Sequence, residues 1–182
     1  MTALKNIAGT YNLDPSHSRV GFVARHAMIA KVRGAFNDVT GTAVIDAANP
    51  AATDLEVTIQ AASVDTRDAN RDGHLVSPDF LDAATYPTIT FKSTGAEIVD
   101  QDTVAVSGDL TIKDVTKPVV VPFTFGGAAT DPFGNERIGF DGQITVNRKD
   151  WGLTWNAALE TGGVLVGEKV VLELEVSAVK AA

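Results

Sequence analysis

Apolar and polar residues alternate with a period of two along most of the chain, the pattern of strands with one face dry and one face wet. Val170, Leu172, Leu174 and Val176 share one face, with Val171, Glu173, Glu175 and Ser177 on the other. Gly108, Leu110 and Ile112 alternate with Asp109, Thr111 and Lys113, and Leu55, Val57 and Ile59 with Glu56, Thr58 and Gln60. Ile144 and Val146 alternate with Gln143, Thr145 and Asn147. Val20, Phe22 and Ala24 alternate with Arg19, Gly21 and Arg25, while Val23 interrupts the polar face. Val119, Val121, Phe123 and Phe125 form a further dry face, and Pro122 among them predicts an edge, a bulge or a position without a ladder bond. Further strands are predicted over 32–37, 39–46, 86–93, 97–100, 103–107 and 137–141. Turn signals at Asn49-Pro50, Gly126-Gly127, Asp131 to Asn135 and Gly162-Gly163 punctuate them. Many short antiparallel strands at short spacing predict a sandwich or a barrel.

Alternation stops over 65–83. There Ser77-Pro78-Asp79 has the cap, proline and acidic first turn of a helix start, and Thr66 to Val76 reads as one or two helical turns. The prediction is one all-β domain over 9–182 with a helical insertion around 66–83, preceded by an N-terminal tail of residues 1–8.

Composition narrows the function. The 182 residues suit one domain, and surface scaling buries about 70% of the extended chain's surface. Hydrophobic content of 45% against 21% charged excludes intrinsic disorder. No apolar stretch approaches the ~20 residues of a transmembrane helix. The absence of cysteine removes disulfides, thiolate metal sites and cysteine nucleophiles. A net charge of -8 with scattered Lys and Arg argues against nucleic acid as a partner. The opening Met1 to Gly9 lacks the apolar centre of a secretory signal, so a cytoplasmic location is the expectation.

The ordered motifs resemble one family. Tyr11-Asn12-Leu13-Asp14-Pro15-Ser16-His17-Ser18 is followed by Val20, Phe22 and His26, then by Val32-Arg33-Gly34-Ala35-Phe36. Arg71-Asp72-Gly73-His74-Leu75, Asp79-Phe80-Leu81-Asp82 and Tyr86 to Phe91 come next. Gly108 to Ile112, Val115-Thr116-Lys117-Pro118-Val119 and Asn147-Arg148-Lys149-Asp150-Trp151-Gly152 complete the set. From Gly9 to Val179 the chain resembles the YceI-like family, polyisoprenoid-binding and lipocalin-like. The resemblance implies a single antiparallel eight-stranded barrel around a long apolar tunnel. It further implies a carrier of an elongated amphiphile (a polyisoprenoid, an isoprenoid quinone or a fatty chain), a homodimer, and a family many of whose members are periplasmic or secreted. Asp114 stands where the family's turn usually has glycine, and aspartate tolerates left-handed backbone better than most residues.

Eight strands can hold one small ligand or be filled by side chains, so alternation alone leaves both open. If hollow, the wall is expected from Val20, Phe22, Ala24, Val57, Ile59, Leu110, Ile112, Val121, Phe123, Ile144, Val146, Leu172 and Leu174, with Leu55 and Val119 on the same inward faces. His26 continues the dry face of Val20, Phe22 and Ala24, and would end that strand pointing inward near a mouth. With Arg71 and His74 it is a head-group candidate by residue type. Arg71 has the planar fork that grips phosphate, against a plainer salt bridge to Asp68 or Asp72. Trp151 and Trp155 read as a plug closing one barrel end, or as a lip for lipid.

A metal-dependent hydrolase is the alternative, built on His17, His26 and His74 or on the Asp68–Asp79 loop. That loop fits D-x-N-x-D-G-x₅-E except for aspartate at the last position, but a strand precedes it rather than the entering helix of such a site. No histidine pair has H-E-x-x-H spacing, and there is no G-x-S-x-G elbow, P-loop or dinucleotide fingerprint. No catalytic residue, metal ligand or cofactor is therefore assigned. A filled barrel acting only as an interaction module is the further alternative.

Overall fold

The alternating strands close on themselves in the computed structural model, which describes residues 3–182. The strands are β1 (Gly9–Leu13), β2 (Arg19–His26), β3 (Ala30–Phe36), β4 (Val39–Ile45), β5 (Asp54–Gln60), β6 (Val64–Asp65), β7 (Thr88–Ile98), β8 (Thr103–Ile112), β9 (Val115–Thr130), β10 (Glu136–Asn147) and β11 (Val166–Lys180). Their order is β1-β4-β5-β7-β8-β9-β10-β11, with each neighbouring pair antiparallel, and β1 pairs back onto β11 through Tyr11↔Lys180 and Leu13↔Ala178. The result is a closed, lipocalin-like barrel of eight strands. On its edge away from β10, β11 serves two partners in turn. Its last residues meet β1, while Val170 to Glu175 pair with β2, and β3 and β6 continue the sheet from there. The β2–β3 ribbon therefore carries the wall onward where β1 no longer reaches.

Several boundaries differ from the pattern reading for local reasons. The runs 86–93 and 97–100 are one strand, β7, bent by a register shift between Ser93 and Gly95. Gly126-Gly127 is not a turn but lies inside β9. The register against β10 shifts there, from Gly127↔Gly139 to Phe125↔Phe140, leaving Gly126 as the extra residue of a bulge. Pro122 faces outward and pairs with Ala105 of β8, whereas pairing of β9 with β10 ends one residue earlier, at Phe123↔Gly142. A residue without an N–H costs least at such a place. In the two-residue β8–β9 hairpin the left-handed position is Lys113 (φ 58°) rather than Asp114. The Lys113 ammonium lies 5.9 Å from the Tyr86 ring centroid.

The insertion holds one α-helix, α1 (Ala69–Val76). Its N-cap is Asp68, whose carboxylate accepts from the amides of Asn70 and Arg71. Ser77-Pro78 is consequently not a helix start: Ser77 is the C-cap of α1, its amide donating to the His74 carbonyl. The chain then folds back, with Leu81 N donating to Leu75 O and Ala83 N to Val76 O, which leaves no room for a second helix.

Of the tail expected over 1–8, Met1 and Thr2 lie outside the described residues. Ala3–Asn6 form a 3₁₀ turn, and Leu4 and Ile7 are buried against Tyr11, Phe125, Ile138 and Ala178. The segment is an end-plug of the barrel. No helix among the described residues is long and apolar enough to cross a membrane.

Candidate ligand-binding cavity

Period two points every second residue of each wall strand inward, so the barrel's interior is apolar by construction. The inward set is plugged at both ends. At one end stand Leu4, Ile7, Tyr11 and Phe125. At the other, Trp151 (3% exposed) packs with Val39, Ile59, Ala61, Leu81, Ile89 and Leu110, and its Nε1–H donates to the Leu110 carbonyl at 3.0 Å. Trp151 is thus the plug the sequence offered as one of two roles. Trp155 lies instead against the insertion, its ring 4.6 Å from that of His74 and 5.4 Å from that of Phe80.

Between the plugs lies a cavity of about 370 Å³. Its wall explains an otherwise odd feature of the burial pattern. Val20, Phe22, Val57, Ile112, Ile144, Val146, Leu172 and Leu174 all face inward, yet each keeps accessible surface rather than being fully buried. A close-packed interior would bury these positions completely. The total accessible surface agrees: 9924 Å² against roughly 8,400 Å² expected for a compact 19.1 kDa chain. The inner faces are accessible because they face empty space.

All thirteen residues expected in the wall border this cavity, as do Leu55 and Val119. Leu75, Phe80 and Leu81 of the insertion join them at the Trp151 end, where periodicity had no signal to offer. Glycines give the wall its shape at two points: a Cβ on Gly34 would stand 2.4 Å from the Phe22 ring, and one on Gly142 2.7 Å from the Phe123 ring. Each ring therefore occupies the space that a side chain on the facing glycine would need.

The three head-group candidates do not border the cavity. His26 is exposed, because the β2–β3 ribbon runs past the rim and takes it clear of the interior. Arg71 is neither free nor salt-bridged. Its Nε donates to Thr66 Oγ1 (2.7 Å) and its Nη2 to the Thr66 carbonyl (2.9 Å), while Asp72 accepts from Thr66 N and Oγ1. His74 Nε2 is 2.8 Å from Asp79 Oδ2 and stacks edge-on against Phe80. The acids that mimic a calcium loop are accordingly spent on a helix cap, a turn and a hydrogen bond with His74. His17 sits elsewhere, exposed and bonded to Asp14. Among the described residues no group of three or more His, Asp or Glu side chains is placed to hold a metal ion.

Sequence reasoning missed the one cation that does border the cavity, Arg148. It is 6% exposed, opens the 3₁₀ turn Arg148–Trp151 and sits at the Trp151 end. Its Nε donates to Gly167 O at 2.9 Å, Nη1 to Leu153 O and Nη2 to Val166 O at 3.2 Å. Its Cζ lies 5.9 Å from the Phe80 ring centroid. Among the described residues no carboxylate lies within 4 Å of it, since nearby Glu168 is taken by Lys149 at 2.6 Å. Burial lowers its pKa, partly offset by the charge of Glu168. Three of five guanidinium N–H groups bond to carbonyls, leaving two donors and an unneutralised charge beside an apolar cavity. The motif Asn147 to Gly152 contained the only available hint. At the opposite end Thr42, Asp46 and Thr53 border the cavity, and the Asp46 carboxylate is occupied by the amides of Ala48 and Asn49.

The model of the YceI-like domain family matches residues 11–178, nearly the whole barrel. The chain belongs to the YceI-like family. A UPF0312 protein of Pseudomonas savastanoi pv. phaseolicola is 40% identical over 155 residues, covering 84% of this chain and 81% of that protein. Among solved structures, Burkholderia cenocepacia BcnA aligns over 91% of this chain and 98% of its own, with a TM-score of 0.79 at 26% identity. A polyisoprenoid binding domain from Saccharophagus degradans aligns over 94% of this chain and 98% of its own, with a TM-score of 0.73. At 19% identity that likeness shows the fold alone.

Proposed function

We propose that this YceI-like barrel is a binding protein for a long-chain amphiphile, with the apolar chain along the cavity and the polar head toward Arg148. The observation that carries this reading is the accessible inner wall: an apolar space of about 370 Å³ within the size range of small-ligand pockets. Leaving that wall unoccupied forfeits dispersion contacts that a hydrocarbon restores. Each buried CH₂ contributes about 0.8 kcal/mol, so ten would contribute roughly 8 kcal/mol before the costs of association. Such binding has no direction and selects by length and shape. Direction comes from Arg148, whose two free donors and uncompensated charge favour an anionic head such as a diphosphate or carboxylate. The Saccharophagus polyisoprenoid binding domain shares this fold, so the architecture is one that can take such a chain. Asp46, the carboxylate that borders the cavity, is already occupied by the amides of Ala48 and Asn49, which supports binding rather than catalysis.

The test is competition on protein stripped of lipid by organic extraction and refolded. A long-chain isoprenoid diphosphate, the neutral alcohol of the same length and a fatty acid are offered against a fluorescent fatty acid. Both anionic chains are expected to outcompete the neutral alcohol, and Arg148→Gln to erase that preference in folded protein. Failure of all three chains to bind refutes the reading.

A further inference from the structure

The cavity leaves open how a ligand insoluble in water would reach it. The β2–β3 hairpin carries the observation that answers this. Its turn residues Ala27 and Met28 have φ of 49° and 62°, a left-handed pair that throws the tip outward from the barrel rim. On that tip Met28 is 63% and Ile29 81% exposed, among the most exposed large apolar side chains of the described residues. Val164, on the adjoining loop, is exposed as well, and a Cβ on Gly163 would stand 2.7 Å from Met28 Sδ, so the two loops form one apolar knob. The β2–β3 ribbon beneath the knob carries charge of one sign, with Glu160 on the adjoining loop the nearest acid preceding Val164 in sequence. From Pro15 to Asn37 the chain has no acid, although its net charge is -8. Arg25, Lys31 and Arg33 point outward from the ribbon, all exposed, and no acid lies within 4 Å of them among the described residues. Glu168 and Glu173 of the adjoining β11 are held by Lys149 and Arg19. The ribbon is also continuous with the cavity: Ala24, one step inboard of Arg25, and Val166, paired with His26, both line it.

The geometry points to the β2–β3 tip as a docking element for a lipid bilayer bearing anionic headgroups, set at the Arg148 end of the cavity so that a chain passes between membrane and barrel. Apolar side chains above a cationic collar match the two layers of such a surface, the acyl boundary and the anionic headgroups. The opposite end of the barrel fails this match. Phe133 there is 88% exposed, but Asp100 and Asp102 on the neighbouring β7–β8 turn have no cation within 4 Å among the described residues and would repel the same headgroups. Each of the three cations should be worth roughly fivefold in partitioning at low salt, and insertion of Ile29 at least tenfold. Docking does not depend on the ligand reading, because the tip is present whether or not the cavity is filled.

Co-sedimentation of lipid-stripped protein with vesicles tests it, using phosphatidylcholine with phosphatidylglycerol against phosphatidylcholine alone. Binding is expected only to the anionic vesicles, weakening as salt rises through the physiological range. Ile29→Asp should reduce it at least tenfold and Lys31→Glu with Arg33→Glu by a similar factor, with unchanged melting temperatures because all three positions are exposed. Phe133→Asp should leave it unchanged. Absence of wild-type binding to anionic vesicles, or Ile29→Asp binding as wild type does, overturns the inference. It is equally overturned if Ile29→Asp converts a dimer to a monomer in light scattering, which would make the knob a contact between copies. Vesicle binding is read without any cavity ligand, so its failure leaves the carrier reading standing, and the reverse holds as well.

Discussion

Enlarging a wall residue separates a hollow barrel from a filled one, because the two respond with opposite signs. Val57 faces the cavity from β5, opposite the outward Glu56 and Thr58. Val57→Phe adds four carbons to the side chain and sends them into the 370 Å³ space. In a hollow barrel the ring gains contacts without displacing neighbours, so stability changes by less than about 1 kcal/mol or rises. In a filled barrel the same change overpacks the interior and costs about 1–3 kcal/mol, which for a chain of this length lowers Tm by roughly 3–10 °C. Binding moves the other way. A ring occupying the space of about four ligand CH₂ groups removes about 3 kcal/mol of transfer energy, weakening Kd by roughly a hundredfold. The assays are thermal unfolding by circular dichroism and displacement of a fluorescent long-chain fatty acid. A Tm lowered by several degrees together with unchanged affinity would refute the hollow-barrel reasoning.

Three further outcomes follow from side-chain geometry. Trp151→Phe keeps most of the plug but removes the buried indole N–H that donates to the Leu110 carbonyl, so stability should fall by about 1 kcal/mol and Tm by about 2–4 °C, measured by calorimetry. Asp14 is held well below the usual carboxylate range by Ser16, Arg137 and His17, and Asp131 likewise by Asn135 and Arg137. Depressed carboxyls stabilise the fold above their ordinary pKa of about 3.9, and that stability is lost as pH falls toward the folded values. Arg137→Gln should therefore flatten the loss of Tm between about pH 5 and pH 2, and an unaltered acid limb would contradict the assignment. Because Asp68, Asp72 and Asp79 are already spent, a chelator should leave Tm unchanged and added calcium should not raise it.

The wall was legible in the sequence because period two is a property of every strand and does not depend on partners. Val20 to Ala24, Leu110 to Ile112 and Leu172 to Leu174 could be assigned inward before any pairing was known. The emptiness was not legible. Packing density depends on how far apart opposite walls stand, and alternation is the same for a filled and a hollow barrel. The polar rim was misread for a related reason. His26 satisfies the inward parity of its strand, but parity does not say where a strand outruns the barrel. Arg148 lies in a 3₁₀ turn, where no periodicity assigns a face, and only the carbonyls of Leu153, Val166 and Gly167 fix its direction. Ser77-Pro78 carried good start chemistry and lost to the earlier cap Asp68, whose carboxylate already held two amides.

Organic extraction of the purified protein followed by mass spectrometry shows whether the barrel carries a chain. A long-chain amphiphile near one per protein should co-purify, and its removal should leave a folded protein that takes up an added long-chain isoprenoid. A clean extract, together with no uptake of added isoprenoid or fatty chain by the folded protein, would contradict the carrier reading.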